Sequence, residues 1–263
     1  MKARTICIAN QKGGVGKTTT AVNLAASLST LSRRVLLIDS DPQGNAASGV
    51  GIKREDVKEN LYHFLIVDAN PRDVIRKTEL PTLDVLPSTM DLIGAEIELV
   101  SLPEREHRLR QGLKGIEHEY DYIIVDCPPS LGLLTINALT AAQTVLIPIQ
   151  CEYYALEGLS QLLTTIKRVK RNLNSDLRIE GLLLTMFDKR NNLCHQVANE
   201  IRKYFTSKVY GVIIPRNIRL AECPSYGKPI LLYDQGSPGA TSYLELAQTI
   251  NRGYNENEKD SIG

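Results

Sequence analysis

The chain has 263 residues, 43% hydrophobic and 23% charged, enough apolar matter for a sizeable core and far from a disordered or fibrous composition. With 31 basic against 30 acidic residues, the formal net charge of +1 gives no global field for nucleic acid or membrane, so any such contact needs a local basic face. No apolar run reaches the ~18 residues that span a bilayer, and a strand begins almost at once, so neither a membrane span nor a signal peptide is expected. The five cysteines (Cys7, Cys127, Cys151, Cys194 and Cys223) are odd in number and form no C-x-x-C pair. They are expected as reduced thiols of a cytoplasmic protein, with no zinc site and no iron–sulfur cluster.

Apolar, β-branched runs alternate with helical patterns along the chain. Strands are expected at 5–9, 35–39, 83–86, 122–126, 144–149, 181–185 and 209–214. Their continuous rather than alternating apolar character indicates burial on both faces, hence a mainly parallel sheet. Helices are expected at 18–31, 92–100, 104–119, 156–172, 193–205 and 239–252. The fold class that follows is α/β, three layers, a mainly parallel β-sheet flanked by helices. No linker or repeat interrupts it, so residues 1–253 read as one domain and 254–263 as a polar C-terminal tail.

Between the first strand and first helix stand Gln11, Lys12, Gly13, Gly14, Val15, Gly16, Lys17, Thr18 and Thr19. Strand, glycine loop and helix start make a phosphate cradle: backbone N–H groups converge on one anion, and the helix end adds partial positive charge. In the P-loop pattern Lys17 meets the β- and γ-phosphates and the Thr18 hydroxyl sits on Mg²⁺, which predicts ATP and Mg²⁺ as cofactors. Gln11 occupies the place of the usual first glycine. Lys12 must either point to solvent or meet phosphate charge across a subunit interface, and the residues alone leave both open.

Ligands of such sheets bind at the carboxyl ends of the strands. Asp126 ends an apolar strand, the pattern of the carboxylate that holds Mg²⁺ through water, with a helix cap as the alternative. Asp39 and Asp41, two apart, are expected to face the same side: Asp41 to orient the attacking water and Asp39 to act on the metal from its outer shell. An Asp-Pro-x-Gly turn is the alternative reading of that pair. Basic residues Lys189, Arg190, Arg216 and Arg219 follow the last two strands, and Lys167, Arg168, Lys170 and Arg171 cluster on the helix between. The latter read best as a solvated face.

The string from Asn10 to Leu24 resembles the deviant Walker A of the ParA/MinD ATPase superfamily. Residues 39–45, 126–130, 150–158 and 214–220 narrow the resemblance to chromosomal ParA proteins of the Soj type, over the chain to about residue 250. The resemblance implies a P-loop ATPase that forms an ATP-dependent sandwich dimer, with Lys12 on the opposite subunit's phosphates and Gly13 where the two loops meet. It implies catalytic roles for Lys12, Lys17 and Asp41, metal roles for Thr18, Asp39 and Asp126, and places Pro215, Arg216 and Asn217 near adenine. It further implies non-specific double-stranded DNA binding through Arg190 and Arg219, a ParB-type partner that stimulates hydrolysis, and a cytoplasmic, nucleoid-associated protein. A membrane-associated MinD-type role would need a basic amphipathic C-terminal helix, and residues 254–260 lack the apolar face.

Overall fold

Val35–Asp39 and Tyr122–Asp126 are buried at every position, as continuous apolar runs predict for strands covered on both sides. The computed structural model, which describes residues 2–152 and 155–262, joins them in one eight-stranded sheet. Tyr153 and Tyr154 of the 150–158 string lie outside the described residues. The strands are β1 (Arg4–Ile8), β2 (Val35–Asp39), β3 (Arg76–Lys77), β4 (Leu83–Leu86), β5 (Tyr122–Asp126), β6 (Thr144–Gln150), β7 (Arg178–Phe187) and β8 (Val209–Pro215). Their spatial order is β3-β4-β2-β5-β1-β6-β7-β8. All neighbours pair parallel except β3, which runs antiparallel along β4. The order reverses around β1, so the loop after β1 opens onto the crevice where such sheets take ligands.

The helices are α1 (Lys17–Thr30), α2 (Asn45–Gly49), α3 (Leu61–Ile66), α4 (Pro71–Val74), α5 (Leu92–Glu98), α6 (Arg108–Leu113), α7 (Leu133–Ala141), α8 (Ala155–Asn172), α9 (Asn192–Phe205), α10 (Ile218–Glu222), α11 (Ile230–Tyr233) and α12 (Pro238–Ile262). Side-chain alternation along the strands splits the core in two. Ile6 and Ile8 of β1 pack with Leu24 and Leu28 of α1 and with Tyr243 and Leu246 of α12. Cys7, between them, faces the other layer with Leu92, Leu113, Leu134 and Leu159. The three-layer expectation therefore holds, strand by strand. α1 is buried from Thr20 to Ser29, and its polar residues are tied: the Thr20 and Tyr243 hydroxyls lie 3.1 Å apart, and Asn23 Oδ1 accepts from the Ile230 N–H at 2.7 Å.

One helical expectation needs correction, and one nine-residue helix was not among those expected. Residues 104–119 do not form one helix: α6 covers only Arg108–Leu113, and Glu104 takes a positive φ of 53° that starts a separate turn. Gly112 and Gly115 weaken helix propagation there, and Gly112 lies so close to the Phe64 ring that a β-carbon would be 2.4 Å from it. α7 has no counterpart in the expected set. It is apolar almost all round, so no 3.6-residue alternation marks it, and it is fastened by Asn137, which accepts from the Leu109 N–H and donates to the Arg105 carbonyl. α12 runs from Pro238 to Ile262.

Leu24, in the middle of α1, is fully buried in the core that α1 shares with the sheet and α12. Leu24→Ala is expected to destabilise the chain by about 2–5 kcal/mol, read as a lower urea midpoint with an unchanged slope.

Candidate active site

β1 leads into a loop that turns sharply at Gly14 and Gly16, with φ of 75° and 85°, conformations that a β-carbon would strain. α1 begins immediately after, with no side-chain cap and no acidic residue in its first turn. Its leading N–H groups are therefore left to an anion. The loop is pinned from β6 and β7: Asn10 donates to the Pro148 carbonyl at 2.7 Å while accepting from the Lys12 N–H at 3.0 Å, and the Thr185 hydroxyl donates to the Val15 carbonyl at 2.8 Å. Gln11 Oε1 is buried without a hydrogen-bond partner.

The two lysines diverge. Lys17 is buried and its ammonium donates to the Lys12 carbonyl at 3.2 Å. Burial lowers its pKa, against the opposing pull of Asp126, Cys127 and Asp41. The Lys12 ammonium instead turns to Glu152 after β6, with Nζ 2.5 Å from Oε2, so the crowding that two cations would suffer in one loop does not arise. Gly13 is exposed, and a β-carbon there would meet nothing within 4 Å.

Asp39 and Asp126 stand opposite each other in the β2–β5 register, both fully buried. Neither Asp126 oxygen has a hydrogen-bond partner among the described residues. Burial first, and then repulsion from Asp39, raises its pKa well above the usual carboxylate range; the Thr18 hydroxyl and Lys17 ammonium offset only part of this. A buried carboxylate with no donor, beside a threonine hydroxyl at the head of a phosphate loop, is suited to a hydrated divalent cation.

Asp39 and Asp41 make different contacts, and each repels Asp126. Asp39 Oδ2 accepts from the Ala47 N–H at 2.8 Å and Oδ1 from the Asp41 N–H at 3.2 Å, so both its oxygens hold backbone. Burial pushes its pKa up to about 7. The extended chain ends at Asp39 and turns through Gly44, at a φ of 64°. Asp41 is half-buried and lines a cavity of about 310 Å³ with Gly13, Gly14, Lys17, Thr18 and Pro129. A neighbouring cavity of about 510 Å³ shares Gly16, Thr19 and Met186 with it and is bounded by Pro215, Arg216 and Asn217. One compartment is polar and glycine-walled, the other mostly apolar, as a phosphate chain and a base require.

Arg190, just after β7, is 91% exposed and pairs with Asp188; Arg219, on α10 beyond β8, pairs with Glu222 and Asp234. Both follow the carboxyl ends of the two outermost strands at one side of the sheet. Lys167, Arg168, Lys170 and Arg171 lie exposed near the end of α8, which leads back to the opposite edge where β7 begins. The two basic groups do not form one surface patch. Among residues the sequence reading did not single out, Glu152 holds Lys12, Thr185 anchors the loop, and Met186, at a φ of 50°, lines both cavities.

The AAA domain family (AAA_31) matches residues 3–179. The chain is 61% identical to the chromosome partitioning protein ParA of Myxococcus xanthus over 247 residues, covering 94% of this chain and 87% of that one. It is 60% identical to the sporulation initiation inhibitor protein Soj of Bacillus subtilis over 245 residues, covering 93% and 97%. The chain belongs to the ParA/Soj family of the ParA/MinD superfamily. The same fold is found in cobyrinic acid a,c-diamide synthase of Mycobacterium smegmatis, crystallised with an ATP analogue and magnesium: 35% identity, a TM-score of 0.86 and 97% coverage of each chain. The ParA/Soj relatives are far more similar in sequence than this synthase.

The carboxylate pair has a consequence for the metal-free protein. A carboxyl whose pKa is higher folded than unfolded keeps its proton in the fold after the unfolded chain has lost it, so stability falls as pH rises from about 4 toward 7. Asp126→Asn removes one member of the pair. In EDTA it is expected to match wild type near pH 4 and to melt at least about 2 °C higher near pH 7.5, the gap widening across that window.

Proposed function

We propose that this partitioning ATPase is a nucleotide-driven switch for segregating chromosome or plasmid DNA. The observation that carries the reading is the buried Asp126 carboxylate, without a hydrogen-bond partner among the described residues, beside Thr18 and Lys17 of a glycine loop whose two lysines point apart. ATP and Mg²⁺ fit this site. Backbone N–H groups of the loop and the start of α1 cradle the phosphates, and Lys17 sits beneath them. Bound Mg²⁺ neutralises phosphate charge; Thr18 would hold it directly and Asp126 through water, with Asp39 in the outer shell. This assignment is compatible with there being no self-sufficient cluster of His, Cys, Asp or Glu among the described residues. Asp41, on the cavity wall, orients the attacking water.

Lys12 makes the nucleotide a dimerisation signal. A ligand shifts an equilibrium only through a contact that differs between the states, and Lys12 on the opposite subunit's phosphates, with Gly13 letting the loops approach, is such a contact. The ATP-bound dimer holds double-stranded DNA without sequence preference through Arg190 and Arg219 of both subunits, in the cytoplasm at the nucleoid. Hydrolysis, stimulated by a ParB-type partner, releases the DNA. The MinD-type alternative places the chain on a membrane surface, and co-sedimentation with anionic vesicles distinguishes it.

A titration of labelled double-stranded DNA with ATP, ADP or no nucleotide, at two salt concentrations, tests the switch. Binding is expected with ATP alone, weakening steeply with salt; equal binding in all three states would overturn it. Lys12→Ala should still bind ATP but neither dimerise nor bind DNA. Asp41→Ala should accumulate the ATP-bound, DNA-bound dimer, and normal turnover there would remove Asp41 from the mechanism. Arg190→Ala with Arg219→Ala should leave hydrolysis intact and flatten the salt slope of DNA binding by roughly 0.9 per lost phosphate contact.

A further inference from the structure

α5 buries Leu92 and Ala95, with Leu99 just beyond its end, and turns an equally apolar side outward. Met90, Ile93, Ile97 and Val100 are 52%, 49%, 74% and 57% exposed. Spacings of three, four and three residues put them along one face, so they form a stripe rather than scattered surface residues. The rim of the stripe is acidic and unneutralised. Asp91 accepts from the Thr89 hydroxyl and the Asn60 amide, Glu98 from the Tyr62 hydroxyl, and Glu96 Oε1 is buried without a partner. None of the three pairs with a lysine or arginine among the described residues. The nearest arginines in sequence, Arg105 and Arg108, are engaged by Glu106 and Asp68.

The complement of such a face is an apolar stripe edged with positive charge. DNA is repelled by the rim. A second copy meeting it across a two-fold axis would set carboxylates against carboxylates. The segment from Met90 to Val100 also touches both loops that flank the phosphate cavity. The Gln43 side-chain amide reaches Met90 Sδ at 3.9 Å, two residues from Asp41. On the other side, the Glu96 carboxylate presses on Gly132, where a β-carbon would lie 2.1 Å from Oε1, at the end of the loop that starts at Asp126.

We propose that the outer face of α5 is the docking surface for a basic, apolar-striped peptide segment of the activating partner, and that docking reaches the reaction through Gln43 and Gly132. The proposal rests on reading the site as a partner-stimulated ATPase. The probe is a fluorescent helical peptide of about 18 residues, leucines on one face and lysines on the other, against the same peptide with glutamates for lysines. Anisotropy is read with and without ATP at low and high salt. Wild type is expected to bind the lysine peptide at least about tenfold tighter than the glutamate peptide, less so at high salt, with faster ATP hydrolysis on binding. Ile93→Ser with Ile97→Ser, both exposed, should weaken peptide binding roughly tenfold while leaving the melting temperature, basal hydrolysis and ATP-dependent dimerisation unchanged. Asp91→Lys with Glu98→Lys should weaken binding of the lysine peptide and strengthen binding of the glutamate peptide through charge.

Equal binding of the two peptides, or unchanged binding by the serine variant, overturns the docking surface. Serine substitutions that abolish dimerisation while peptide binding persists assign the face to a second copy, which also overturns it. Binding without stimulation overturns the coupling through Gln43 and Gly132. Because binding is read without nucleotide as well, a wild-type chain that fails to hydrolyse ATP counts against the ATPase reading and not against the surface.

Discussion

Asp39 and Asp126 face each other across β2 and β5, both out of reach of water, and the nucleotide edge is arranged around that pair. Two buried like charges repel strongly, so in the metal-free chain the pair favours keeping a proton. The two members are treated differently. Asp39 is satisfied by two backbone N–H groups and becomes the hinge-pin of the turn that carries Asp41 and starts α2. Asp126 is left bare, with only the Lys17 charge and the Thr18 hydroxyl in its favour. A group left unsatisfied in a fold whose other buried polar groups are mostly paired marks where something else belongs.

The same edge explains why the loop must come from β1 and not from a neighbouring strand. β1 lies between β5 and β6, so its loop opens beside Asp126 on one side and Pro148 on the other. Asn10 and Thr185 then fix the loop from β6 and β7 before any ligand arrives. Pre-organisation of this kind keeps the N–H groups aimed without an ordering cost on binding. Lys17, lowered in pKa by burial, still has three negative or polarisable neighbours to hold its charge.

Most of the fold was legible because its central strands are buried on both faces and therefore read as unbroken apolar runs. The partly buried edge strand β8 is still apolar enough to read the same way. What periodicity could not see is what has none. α7 is nearly uniformly apolar, β3 is two residues long, and the glycines of 104–119 interrupt a pattern that otherwise looks helical. At the site, the phosphate loop was legible from spacing, but two placements were not. The Asp39–Asp41 pair was read as extended chain where the backbone turns, and the partner of Lys12 lies 140 residues away on the loop after β6. Neither the Glu152 contact nor the positive φ of Met186 has any local signal in the sequence.

For the switch proposed above, the Lys12–Glu152 contact would let Lys12 be both quiet and responsive. With side chains 33% and 49% exposed, the pair is a surface ion bridge, worth no more than about 1 kcal/mol. It is strong enough to hold the ammonium away from Lys17 in a lone subunit, where two cations in one loop would otherwise repel. It is weak enough to be exchanged for phosphate oxygens, which carry more charge in a drier setting. A deeply buried partner for Lys12 would make dimerisation expensive, and no partner at all would leave the cation free to disturb the loop. An exposed carboxylate after β6, at the same edge as Gly13 and the phosphate cavity, lies between those limits.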